Sequence, residues 1–164
     1  MTVKYKTSIH KLSHLSGHYL EVSEAVIEKL GGLKVRLVCT LNKSLSFQCG
    51  MVALGEGKAY ILLNAAKMKE LEAREGAKVE VELKADDSTY GMEVPKELSE
   101  VFKQDKEAKK RFDKLPPGKR RYIIYYISQV KSTQLRIDRA IMLMTNLKSL
   151  PVGKETFKGL LTKI

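Results

Sequence analysis

The sequence predicts an α+β protein: a pseudo-symmetric β-barrel made from an internal repeat, followed by a small helical domain. The first observation is the repeat itself. Tyr19-Leu20-Glu21-Val22-Ser23 leads through Ala25, Val26 and Ile27 to Leu30 and then to Lys34-Val35-Arg36-Leu37. About forty residues later Tyr60-Ile61-Leu62-Leu63-Asn64 leads through Ala66 and Met68 to Leu71 and then to Lys78-Val79-Glu80-Val81. The second observation is a change of period: after Asp86-Asp87-Ser88 the two-residue alternation of strands gives way to helical spacing. The third is composition. A chain of 164 residues, 43% hydrophobic and 30% charged, has material for one full core or two small ones.

The first copy spans residues 3–41. Val3, Tyr5, Thr7 and Ile9 alternate with polar neighbours, which predicts a strand over 3–11. Residues 13–17 read as a turn and 18–22 as a short strand. Ser23 caps a helix through Leu30, with Glu24 and Glu28 suited to its start and outer face, and Gly31-Gly32 stops it. Residues 33–41 form the next strand, with Val35, Leu37 and Cys39 on one face.

The second copy spans residues 45–85 in the same order. A strand over 45–54, a turn at Gly55-Glu56-Gly57 and a strand over 59–63 lead to Asn64, which takes the capping role of Ser23. A helix is expected to about Arg74, then a strand over 77–85 in which Val79, Val81 and Leu83 alternate with Lys78, Glu80 and Glu82. Both helices are too short to persist alone, so each must pack on the barrel.

Residues 89–150 form the helical domain. Pro95 opens a helix bearing Leu98, Val101 and Phe102, and Asp105 caps a second with Ala108, Phe112 and Leu115. Pro116-Pro117-Gly118 starts a third, expected to reach about Val130, whose Tyr122-Ile123-Ile124-Tyr125-Tyr126-Ile127 is apolar all round and suits the centre of the bundle. Ser132 or Thr133 caps a fourth, with Ile137, Ala140, Ile141, Met144 and Leu147 as its buried stripe. Pro151-Val152-Gly153 ends it and leaves a basic tail, 151–164, whose Phe157, Leu160 and Leu161 are expected to dock weakly.

Charge narrows the function classes. The net charge is +11, and between Lys103 and Arg121 nine bases face three acids. Such a surface speeds encounter with nucleic acid, anionic lipid or acidic proteins, and it equally describes solvated helix faces. No run of residues is apolar and long enough to span a bilayer, and no apolar segment follows the early lysines as a secretory signal requires, so a cytoplasmic protein is expected. Cys39 and Cys49 flank Asn42-Lys43-Ser44 and read as two reduced, half-buried thiols.

Catalytic patterns are missing. There is no G-x-S-x-G, H-E-x-x-H, P-loop or G-x-G-x-x-G, and Gly55-Glu56-Gly57-Lys58 lacks the strand–loop–helix setting that cradles phosphate. His10, His14 and His18 would align on a helix, but the pattern there is strand–turn–strand, so no metal or other cofactor is expected. The strongest candidate is a basic constellation: Lys119, Arg120 and Arg121 in the first turn of the third helix, with Lys131, Arg136 and Arg139 at the start of the fourth. Arg136 and Arg139 are one turn apart and can present two guanidinium forks to a carboxylate or phosphate. Internal acids or helix-terminal carbonyls can occupy the same forks, in which case the arginines hold the fold.

The helical half has a recognisable layout. Val94-Pro95-Lys96-Glu97-Leu98 precedes one helix, Phe112 and Leu115-Pro116-Pro117-Gly118-Lys119-Arg120-Arg121-Tyr122 lead into another, and Lys131-Ser132 is followed by Arg136-Ile137-Asp138-Arg139-Ala140-Ile141. This resembles the YdeI/OmpD-associated, or bacteriocin-protection, family. Residues 1–88 resemble the uncharacterised double-split β-barrel domain found in front of it, related in fold to AbrB and MazE. The resemblance implies envelope association or resistance to antimicrobial peptides. The expected function is therefore a non-enzymatic binding or stress-protection protein acting on an anionic ligand or a protein partner at a basic groove. Nucleic-acid binding is one alternative; a small-molecule site or an enzyme of unknown reaction is the other.

Overall fold

The computed structural model describes residues 1–13 and 17–163. Its first alternating segment breaks at Ile9. β1 (Thr2–Ser8) and β2 (His10–Lys11) lie on either side of that residue, in different sheets. Ile9 is 1% exposed; its N–H donates to the Ala77 carbonyl and its carbonyl accepts from the Gly76 N–H, both at 2.8 Å. Burying this one side chain turns the chain from one sheet into the other. The second alternating segment divides likewise into β5 (Leu45–Cys49) and β6 (Val52–Gly55). Each strand expected as continuous is thus two, because alternation continues through a bend that changes the partner strand.

The remaining elements of this part are β3 (His18–Val22), α1 (Glu24–Leu30), β4 (Leu37–Leu41), β7 (Lys58–Leu63), α2 (Ala65–Glu70) and β8 (Lys78–Ala85). They build two four-stranded sheets, ordered β1-β8-β4-β5 and β2-β3-β7-β6, with every described pair antiparallel. Among the described residues no ladder closes the two sheets into a single one. Their inner faces share one core in which Leu20, Val22, Ile61 and Leu63 of one sheet and Leu37, Leu41 and Leu83 of the other are fully buried.

Local chemistry sets the boundaries. Ser23 and Asn64 cap α1 and α2, accepting from the N–H of Val26 (3.3 Å) and Lys67 (2.9 Å). α2 ends four residues short of the expected Arg74, and Glu72 takes a left-handed φ of 53° just beyond it. Between β4 and β5, Asn42 and Lys43 both adopt positive φ, as a tight hairpin turn requires, and Asn42 Oδ1 accepts from the Glu80 N–H at 2.9 Å. The strand expected from residue 33 begins at Leu37.

The chain divides into two compact units, Met1–Gly91 and Met92–Ile164. The second holds α3 (Lys96–Gln104), α4 (Lys106–Asp113), α5 (Pro117–Ser128), α6 (Thr133–Ser149) and α7 (Phe157–Leu160). Ile123, Ile124 and Ile127 of α5 are fully buried with Leu98, Phe112, Ala140, Leu143 and Leu147, while Tyr125 is exposed. The tail is not weakly docked. Leu160 is fully buried, and the Asn146 side-chain amide donates to the carbonyls of Leu160 (2.8 Å) and Thr162 (2.7 Å). Among the described residues no helix is long and apolar enough to cross a membrane.

Candidate functional site

The six basic residues do not form one constellation. α5 is 12 residues long, so its ends lie roughly 18 Å apart. Lys119, Arg120 and Arg121 sit at its start; Lys131, Arg136 and Arg139 gather at its C-terminal end. Four of the six carry backbone carbonyls. Arg136 donates from Nε to the Val130 carbonyl (2.7 Å) and from Nη2 to that of Ser128 (3.3 Å), with Glu97 at 4.0 Å. Arg139 donates to the Tyr126 carbonyl (2.8 Å) and lies 4.1 Å from the centre of the Tyr126 ring. The last turn of a helix leaves carbonyls without intrahelical donors, and these two forks supply donors to the end of α5.

At the start of α5, Arg120 donates to the Asp113 carbonyl at 3.0 Å, which ties α5 to the end of α4. Lys119 donates to the Glu155 carbonyl at 2.6 Å. Arg111, which sequence reasoning did not single out, completes that clasp. It donates to the carbonyls of Lys148 (3.2 Å) and Leu150 (2.5 Å) and lies 3.6 Å from the buried carboxylate of Glu155. Among the described residues the side chains of Arg121 and Lys131 make no hydrogen bond or ion pair.

The helical unit also carries a groove of about 690 Å³ between α3 and α6. Val101, Ile137, Ile141 and Met144 form its apolar floor. Ile137 and Ile141 were expected in the buried stripe of the fourth helix, yet Ile137 is half-buried and Ile141 is 47% exposed. The stripe is wider than the bundle can cover. Its charged lining is Glu97, Glu100, Asp105 and Lys96, and each of the three acids lies within 4.0 Å of a base: Arg136, Lys103 and Lys148 in turn. Lys148, 2.6 Å from Asp105, and the Ala108 N–H hold the Asp105 carboxyl below the usual carboxylate range.

Residues 91–149 match the family model described as "Bacteriocin-protection, YdeI or OmpD-Associated" (OmdA), and residues 4–83 match that of a domain of unknown function, DUF1905. The chain carries an OmdA domain behind a DUF1905 domain. No curated protein matches it. The OmdA match contains α3 to α6, and with them Arg136, Arg139 and the groove; the strap of residues 150–163 lies beyond it.

In the DUF1905 domain, Cys39 and Cys49 are free thiols set opposite Phe47 and Leu37 rather than opposite each other. Burial pushes the Cys39 thiol well up and that of Cys49 up to about 11, with Arg36 and Lys67 pulling Cys49 the other way. Burial and the two thiols likewise raise the Tyr5 phenol, whose hydroxyl donates to the Glu21 carbonyl at 3.0 Å. His10 pairs with Tyr19 and His18 with Lys11, so the two histidines face opposite sides of their sheet. His14 lies outside the described residues. Among the described residues no cluster of three His, Cys, Asp or Glu is placed to hold a metal.

Proposed function

We propose that this chain is a non-enzymatic, cytoplasmic protection protein that binds a cationic amphipathic polypeptide in the α3–α6 groove of its OmdA domain. Bacteriocins are toxic polypeptides, and the family description supplies the class of threat. The groove carries the reading: an apolar floor with Ile141 half exposed, edged by Glu97, Glu100 and Asp105, whose present bases Arg136, Lys103 and Lys148 a cationic partner would join or displace. A helix laid in such a groove buries its apolar face while its basic flanks meet the carboxylates. Free Cys39 and Cys49 suit a reducing compartment.

The DUF1905 domain serves in this proposal as a double-split barrel built from two copies. Exchanging β1 with β5, β2 with β6, β3 with β7 and β4 with β8 turns each sheet order into its own reverse, and Ser23 and Asn64 cap at matching places, which supports that reading.

The test is growth under bacteriocin challenge of cells carrying the wild-type chain, no chain, or Ile141→Lys. Position 141 is exposed enough to take a lysine without unfolding, so its circular dichroism should match wild type while protection disappears. Full protection by Ile141→Lys would remove the groove from the function.

One observation favours nucleic acid as a second reading. Lys106, Lys110 and Lys114 lie one turn apart on and just beyond α4, all exposed, and hold no ion pair among the described residues. Such a row can follow phosphates along a strand.

A further inference from the structure

The apolar run of α5 divides by residue type once it is folded. Ile123, Ile124 and Ile127 are fully buried, while Tyr122 and Tyr126 are half-buried and Tyr125 is 57% exposed. The isoleucines face the bundle and the tyrosines take the outer side. Tyr122 and Tyr126, one turn apart, stack with ring centres 6.3 Å apart and planes 18° from parallel. The strap extends this row: Phe157 of α7, 44% exposed, lies 4.4 Å from the Tyr122 ring. A cation stands at each end. Lys119 Nζ is 6.0 Å from the centre of Phe157, and the Arg139 guanidinium is 4.1 Å from that of Tyr126.

Charge gathers in the same part of the chain. Residues 114–164 hold eleven bases and two acids, +9 of the net +11, whereas residues 1–113 hold nineteen bases and seventeen acids. Of those two acids, Glu155 is buried 3.6 Å from Arg111, which leaves Asp138 as the exposed acid of the stretch. Lys119 and Arg139 give their hydrogens to neutral backbone carbonyls, which satisfies the donors and leaves the charge uncancelled. Arg121 lies one turn before Tyr125 and Lys158 follows Phe157; neither holds an ion pair among the described residues.

We propose that this face binds single-stranded nucleic acid, its bases stacking on the outer rings of α5 and on Phe157 and its phosphates meeting Arg121 and Lys158. Nine uncancelled positive charges call for a polyanion. Rings set in a row beside cations call for a ligand with flat π-faces of its own, and successive unpaired bases supply them whatever their sequence. A single strand meets both requirements. A duplex keeps its bases within the stack, and an anionic membrane brings charge without planes. The face shares no residue with the lining of the α3–α6 groove, so peptide and strand do not compete for side chains. The proposal rests on nucleic acid as a ligand of the helical unit, and adds to the lysine row of α4 the surface that holds the bases.

Titration of the full chain with an oligothymidylate of about a dozen nucleotides at low salt tests the proposal. The chain has seven tyrosines and no tryptophan, so its intrinsic emission reports the stacking rings directly. Binding should quench that emission. Phe157→Leu keeps an apolar side chain against Tyr122 and removes a ring, and Tyr125→Ala changes an exposed position; both should keep the circular dichroism of wild type. Each should raise the dissociation constant about 10-fold, as loss of one stacking ring does. Arg121→Ala/Lys158→Ala should lower the salt slope by about 1.4, at roughly 0.7 for each phosphate of a single strand. An affinity unchanged by both ring variants would overturn the proposal; if it still fell on replacing Lys106, Lys110 and Lys114 by alanine, nucleic acid would remain with the α4 row alone. Absence of binding at low salt would overturn both. Capture by vesicles of phosphatidylserine and phosphatidylcholine, with none by the oligonucleotide, would overturn it in favour of a membrane surface.

Discussion

At the residue scale, the arginines divide by what their forks touch. Arg136 and Arg139 reach the Ser128, Val130 and Tyr126 carbonyls at the end of α5, and a hydrogen bond from a charged donor is worth about 1.5–3 kcal/mol. Arg139→Ala should therefore lower the stability of the helical unit by about 2 kcal/mol. It also forfeits the stacking on Tyr126. Arg139→Lys should recover only part, because an ammonium cannot both stack flat and donate from a fork. Chemical denaturation checks both variants; an unchanged midpoint for the alanine would show that the hydrogen bonds to these carbonyls carry no stability. The residue types were legible in the sequence, and so was the one-turn spacing of Arg136 and Arg139. Helix-terminal carbonyls were among the targets the sequence offered, but which ones was not legible, because that depends on α5 ending at Ser128 rather than Val130.

At the element scale, Asp105 joins two helices. Its carboxylate accepts from the Ala108 N–H as the cap of α4 and meets Lys148 of α6 at 2.6 Å. The hydrogen bond from Lys148 is the first cause of its lowered pKa, and the cap adds to it. A carboxyl whose folded pKa lies below its unfolded value adds stability above the unfolded value and loses it as pH falls through the folded one. Unfolding free energy of the helical unit should thus decline on acidification below the ordinary aspartate range. Asp105→Ala should cost about 1–2 kcal/mol at neutral pH, the usual loss of a cap, and should flatten that acid dependence. Denaturant melts at neutral and acid pH measure both; an equally steep decline in Asp105→Ala would place the effect on another carboxylate. The cap was legible from Asp105 and Ala108. Lys148 was not, since it lies 43 positions and two helices beyond Asp105.

At the scale of the whole molecule, the charge of +11 and the groove point to different partners, and salt separates them. If Lys106, Lys110 and Lys114 follow a phosphate backbone, oligonucleotide affinity should fall linearly with log salt. Replacing all three by alanine should reduce that slope by about 2–3, at roughly 0.7–0.9 for each phosphate no longer neutralised. A slope unchanged by the triple variant, or no binding at low salt, would leave the peptide groove as the reading of the molecule.

The sequence by itself determined the α+β class, the passage from strands to helices and the capping residues Ser23, Asn64 and Asp105. All of these rest on periodicity and on interactions within about four residues, which a linear pattern records. Only the tertiary structure decided where the long strands bend, which arginines hold carbonyls, and that Asn146 clasps the tail. It alone decided that Ile141 and the β6 edge stand exposed. A stripe of apolar residues states what a helix or strand is able to bury; how much of it is covered depends on neighbours brought from elsewhere in the chain, and that is settled by packing.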